Sequence, residues 1–75
     1  MMFKEFFSKQ LYIARLRTGY TQKQIAEKAD ISVRWYQRIE NGYSTPGGEL
    51  VVKLMIILNI DKECFKDYFR MNRII

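Results

Sequence analysis

Apolar side chains recur along this chain at the three- and four-residue spacings of helices, and no stretch alternates with the two-residue period of a strand. Phe3, Phe7, Leu11 and Ala14 share one face of a segment from Phe3 to Thr18, and Gly19 follows it as a C-terminal cap. Thr21 and Gln24 have the spacing of a capping box, in which a hydroxyl opens a helix and an amide three residues on reaches back. That second helix is predicted to run to Ala29, with Ile25, Ala26 and Ala29 inward. Asp30 and Ile31 make a tight turn, and Ser32 caps a third helix running to Asn41. Asn41 and Gly42 end it, and a loop carrying Ser44, Thr45 and Pro46 leads to Gly48. A fourth helix is expected over residues 49–58, burying Val51, Leu54, Met55 and Leu58. Asp61 is expected to cap a fifth helix with the stripe Phe65, Tyr68 and Phe69. An apolar tail closes the chain over 67–75, and 71–75 has no evident partner in the pattern. The class predicted is all-α, built from five short helices.

A chain of 75 residues fits one small domain, 1–75, with no attached protease, ligand-binding or dimerisation module. At this size folding buries only about 60% of the surface of the unfolded chain, so the core has to be efficient. The apolar set makes up 48% of the residues, enough to supply one. The chain has no His and one Cys, Cys64, which rules out an intrachain disulfide, Ser-His and Cys-His nucleophile pairs and the usual zinc sets. No catalytic residue, metal or cofactor is therefore expected, and an enzyme is the most distant reading. Glu5 and Lys9 interrupt the N-terminal apolar stretch, so it lacks a signal-peptide core. Lys53 splits the longest apolar runs, which fall far short of the ~20 residues a membrane span needs. A cytoplasmic protein with no membrane partner is expected.

Charge changes the picture. Thirteen Lys and Arg face eight Asp and Glu, for a net +5. Residues 1–42 carry eight basic and four acidic side chains, residues 43–75 five and four. A basic first half suits a polyanion, nucleic acid before membrane.

The informative stretch is residues 21–42, two short hydroxyl-capped helices joined by a tight turn, which is the helix-turn-helix arrangement. Ala26 is small where a second helix must cross closely, and Ile31, Tyr36 and Ile39 point back to a common core. Val33, Arg34, Gln37, Arg38 and Asn41 are left on the opposite face. A capped helix N-terminus flanked by Arg favours phosphate, and exposed side chains on that helix can enter a major groove.

These residues resemble the phage-repressor and Cro-like (XRE-type) helix-turn-helix regulators. The resemblance is carried by Leu11, Arg15, Gly19-Tyr20-Thr21-Gln22, Ile25-Ala26, Ser32, Ile39-Glu40-Asn41-Gly42, Pro46, Val51, Leu54, Leu58 and Phe65. It covers about residues 10–66. It implies a compact five-helix bundle of the phage-repressor DNA-binding type, with the helix-turn-helix at its centre. It also implies that the third helix is the recognition helix, with Val33, Arg34, Gln37 and Arg38 as base readers. Gln22 would then sit on the DNA backbone, and Arg15 would pair with Glu40 as a fold-bracing ion pair. The other backbone candidates are Thr21, Lys23, Ser32, Trp35, Asn41 and Tyr43. Where the family usually has Gly in the turn, this chain has Asp30, which must take positive φ at a cost of ~1 kcal/mol.

Bland readings stand beside several of these. Arg34 and Arg38 lie four residues apart and share a helix face; base or phosphate contact is favoured over an ordinary solvated face. Val33 suits either a staple onto neighbouring turns or contact with a thymine methyl. Trp35 suits either bracing the fold or touching the backbone. Lys23 is a phosphate candidate, while Arg17 and Lys28 are expected to be plain surface residues, and Cys64 a small buried one. Phe3, Phe6 and Phe7, with Tyr68, Phe69, Met71, Ile74 and Ile75, offer much apolar surface at the two ends. They either pack on each other or form a homodimer contact, for which Phe69, Met71, Ile74 and Ile75 are the candidates.

The reading is a sequence-specific double-stranded DNA-binding transcriptional regulator, a repressor on a pseudo-palindromic operator. The alternatives are an antitoxin that also grips a protein partner, and an interaction module that kept the fold without DNA.

Overall fold

A computed structural model describes residues 2–72, which form five helices and no strand: α1 (Phe3–Thr18), α2 (Gln22–Ala29), α3 (Val33–Glu40), α4 (Gly48–Leu58) and α5 (Cys64–Asn72). Each of the first three ends where the sequence supplies a backbone partner. Gly19 takes the left-handed conformation at φ 79° and its N–H donates to the Arg15 carbonyl, closing α1. The capping box at α2 is complete: Gln24 N donates to Thr21 Oγ1 at 3.1 Å, and Thr21 N donates to Gln24 Oε1 at 2.8 Å. Ser32 Oγ accepts from Trp35 N at 3.0 Å and opens α3.

Asp30 sits in the left-handed region at φ 58°, as the departure from glycine required. With the chain reversed there, Ile31 N donates to the Ala26 carbonyl at 3.0 Å, which fixes the angle between α2 and α3.

The core is one cluster drawn from α1 to α4: Phe7, Leu11 and Ala14, then Ile25, Ala26 and Ala29, then Tyr36 and Ile39, then Leu54 and Leu58. Val51 and Met55, expected inside, are only half-buried, because α4 is apolar nearly all round and the bundle covers one side of it. Two helix starts also shift. The fourth helix begins at Gly48, one residue early, on Gly47 with no side-chain cap. The Asp61 carboxylate accepts from Glu63 N at 2.9 Å, so it closes a turn at 61–63 instead of capping α5 directly.

The aromatic ends pack on each other. Phe3 stacks on Phe7 at 5.4 Å and meets Tyr68 edge-on at 5.7 Å, while Phe6 lies 5.1 Å from Tyr68. Phe65 and Phe69 extend the cluster along α5, with ring centroids 6.4 Å apart. Such pairs add about 0.5–1.5 kcal/mol each beyond the area they bury. Of the two readings of the ends, packing within the chain accounts for these rings.

Candidate nucleic-acid interface

Everything that orients α3 is built from its buried side. Tyr36 and Ile39 are almost fully buried, and so is Glu40 at its last turn. Arg15 on α1 reaches Glu40 bidentately: Nε donates to Oε2 at 2.9 Å and Nη2 to Oε1 at 2.8 Å. The pair ties the C-terminal end of α3 to α1, with the carboxylate side chain only 4% exposed and the guanidinium side chain 18%. The hydrogen bond to Glu40 raises the Arg15 pKa, so the guanidinium stays charged throughout any accessible pH range.

Gly42 seals the same junction. Its φ of 79° is left-handed, and a Cβ there would lie 3.3 Å from Ser8 Oγ on α1. The Tyr36 hydroxyl is buried beside this pair, with no partner at hydrogen-bonding geometry. Burial first, then the neighbouring Glu40 carboxylate, pushes its pKa well above the ordinary phenol value.

On the other side of α3, Arg34, Gln37 and Arg38 are exposed. Arg38 Nε donates to Ser44 Oγ at 3.1 Å, which draws its side chain along the loop after α3. Gln37 Nε2 donates to Gln22 Oε1 at 3.2 Å, so a base-reading candidate and a backbone candidate meet across the two helices. Thr21, Lys23, Ser32, Asn41 and Tyr43 are exposed around this face, and Gln22 is half-buried. The capping bonds leave the first N–H groups of α2, at Gln22 and Lys23, available for an anion.

Val33 differs from its placement on the open face: it is half-buried and packs against the core. Trp35 is likewise half-buried and packs against the core. Of the proposed dimer residues, Phe69 is half-buried in the aromatic cluster and Met71 is 58% exposed; Ile74 and Ile75 lie outside the described residues.

Sequence reasoning missed three neighbours of the site. Lys9, Tyr12 and Ile13 on α1 line a groove that also takes in Gln22, Arg15 and Asn41. The signal was present, because these positions lie opposite the Phe7–Leu11 face of α1, but nothing local says which helix that face looks toward. Arg17 was read as a plain surface residue. Instead its Nη2 donates to the carbonyls of Leu58 and Asn59, both at 3.1 Å, and satisfies the C-terminal end of α4. Lys28 lies over the Tyr20 ring at 5.1 Å. Cys64 is half-buried, and burial pushes its thiol pKa up, away from the thiolate that chemistry would need. Among the described residues no His, Cys, Asp or Glu cluster could hold a metal, and no helix is long and apolar enough to cross a membrane.

Two capped helices at a fixed angle, the second presenting Arg34, Gln37 and Arg38 outward, define a helix-turn-helix DNA-binding protein. The helix-turn-helix family model HTH_3 matches residues 11–63, most of the chain, and the chain belongs to this XRE-type, phage-repressor and Cro-like family of double-stranded DNA-binding regulators. Neither a curated protein nor a solved structure matches the chain significantly.

Proposed function

We propose that the chain is a cytoplasmic repressor that binds a pseudo-palindromic operator as a homodimer, one recognition helix per half-site. The observation that carries this reading is the two-sided build of α3. Its inner side is locked by Tyr36, Ile39 and the Arg15–Glu40 pair, while Arg34, Gln37 and Arg38 face out. A reader needs that combination, because a side chain reports a base only when its helix is held in fixed register. Arg34 and Arg38 are the base readers, since the guanidinium fork matches guanine O6 and N7. Val33 adds the exposed part of its methyls to the same surface. Gln22, bonded to Gln37, sets the register on the phosphates together with Thr21, Lys23, Ser32, Asn41 and Tyr43.

One short helix reads only a few base pairs, too few to single out a site in a genome, so two copies are needed. Two-fold pairing places the half-sites one helical turn, about 34 Å, apart. Selection of sites by the intact chain from a random duplex library tests this. The expected yield is an inverted repeat with that spacing, bound so as to exclude transcription from an overlapping promoter. A library that returns no enriched sequence would refute the reading.

A further inference from the structure

Beyond α3 the backbone reverses in a turn that is held by bonds to the helix. Gly42 takes φ 79° and its N–H donates to the Ile39 carbonyl at 3.1 Å, while Tyr43 N donates to the Arg38 carbonyl at 2.9 Å. This pair of bonds is the Schellman arrangement, which closes a helix on a left-handed glycine. Further on, Pro46 is buried, and a proline favours an extended residue before it. Ser44 lies half-buried between these two anchors, so the backbone on either side fixes its place relative to α3. There its hydroxyl oxygen accepts from Arg38 Nε at 3.1 Å. Arg38 is thus tied to the loop twice, by its carbonyl and by its guanidinium. Arg34, one turn earlier on the same exposed face, has no side-chain hydrogen bond or ion pair among the described residues.

We infer that Ser44 is a positioning residue that sets specificity: its hydroxyl oxygen aims the Arg38 guanidinium at a guanine. The inference rests on the proposed reading of Arg38 as a base reader. A guanidinium carries five N–H groups in one plane, one on Nε and two on each Nη. It can meet guanine O6 and N7 through its side, with Nε and one Nη, or through its end, with both Nη atoms. With Nε given to Ser44, the end is the edge left for the base. The bond also restrains a long, flexible side chain before DNA arrives, and a group ordered in advance loses less freedom on binding. Restraint sharpens discrimination as well. An Arg38 held at Nε cannot swing freely to a phosphate or a neighbouring base, so a wrong base leaves its Nη donors unpaired. Arg34 has no such restraint. Ser44 acts through Arg38 and not by a contact of its own with DNA, and that separates it from the residues that grip the phosphates.

The test is a double-mutant cycle on the full chain: parent, Ser44→Ala, Arg38→Ala and the double variant. Each is titrated against the duplex that the parent selects from a random library. Each is also titrated against versions of it carrying the other three base pairs at the position where Arg38→Ala loses preference, and against a scrambled duplex. Ser44→Ala should lower the preference at that position by about three- to tenfold, the factor a single hydrogen bond is worth. Preference at the other positions and affinity for the scrambled duplex should stay within about twofold of the parent. In the Arg38→Ala background the Ser44 change should add less than about twofold. The preference is a ratio of affinities measured on one sample, so a change in the folded fraction cancels. A Ser44→Ala chain that keeps the full preference while Arg38→Ala loses it overturns the positioning role and leaves Arg38 a base reader. A Ser44→Ala loss shared by all duplexes and undiminished without Arg38 also overturns it, because Ser44 would then touch the phosphates directly. An Arg38→Ala chain with the parent's preference at every position overturns the base-reading role of Arg38, and the role of Ser44 with it.

Discussion

Replacing Arg15 by alanine strips three donor contacts from a carboxylate whose side chain is 4% exposed. The carboxylate is left without its guanidinium partner at the α1–α3 junction, where a Cβ at Gly42 would already lie 3.3 Å from Ser8 Oγ. Removing one partner of a buried pair costs about 3–5 kcal/mol, because the charge left behind is neither solvated nor paired. A domain of this length has a total stability of about 4–11 kcal/mol by the usual per-residue range, so the loss takes a large share. Urea slopes for small domains start near ~1 kcal/mol per molar, so the midpoint should fall by about 3 M, or the variant should be largely unfolded without denaturant. Arg17→Ala is the internal control. It removes two bonds to the carbonyls of Leu58 and Asn59 at an exposed helix end, worth about 0.5–1.5 kcal/mol together, or ~1 M in midpoint. Glu40→Gln should fall between the two, since Arg15 is partly exposed and can be hydrated when its partner is gone. Equilibrium urea unfolding of the three variants decides the matter. Coincident midpoints for Arg15→Ala and Arg17→Ala would falsify the claim that the ion pair holds α3 in place.

Three further outcomes are expected. Arg38→Ala should relax preference at one or two base pairs and cost roughly 1–3 kcal/mol on the selected site, whereas Lys23→Ala should weaken all sequences alike and reduce the salt slope by ~1; identical selected sites for Arg38→Ala and parent would show that the register assigned to α3 is wrong. Asp30→Gly should stabilise the fold by up to ~1 kcal/mol, because the position sits at φ 58°, and a lower melting point would mean that the Asp side chain itself supports the turn. Tyr36→Phe should be neutral or stabilising by up to ~1 kcal/mol, since it removes a buried hydroxyl without a hydrogen-bond partner. Burial disfavours the ionised phenol in the folded state, so the parent should lose stability as pH climbs past ~10, where the unfolded phenol ionises, and the Tyr36→Phe variant should flatten that alkaline fall; parallel pH profiles would contradict the assignment.

The helix-turn-helix was legible because its signals are local. The Thr21–Gln24 box, the Ser32 cap, Gly19 and the strained Asp30 each act within four residues, and all are found where the sequence puts them. What escaped depends on partners distant in the chain. Arg17 meets carbonyls some forty residues away, and no periodicity encodes that. Val33 and Trp35 sit near the edge of the helix face, where a small rotation decides between core and solvent, and the packing of α3 on its neighbours sets that rotation. The apolar excess of α4 was visible in the sequence, but with Val51 and Met55 counted as core it looked like an ordinary inner face. Asp61 shows the limit of cap rules: the residue type was right for a helix start, and its carboxylate closes a turn two residues on.

The central claim is that the open face of α3 reads double-stranded DNA by sequence. Fluorescence titrations of the intact chain against its selected duplex and a scrambled duplex, each over a series of salt concentrations, test it most directly. Specific binding should exceed non-specific binding by at least about a thousandfold, with both falling steeply with salt at about 0.9 log unit per phosphate neutralised. An Arg34→Ala/Arg38→Ala chain, still folded, should keep the weak salt-dependent binding and lose the preference. Equal affinity of the intact chain for both duplexes at every salt concentration would contradict the account.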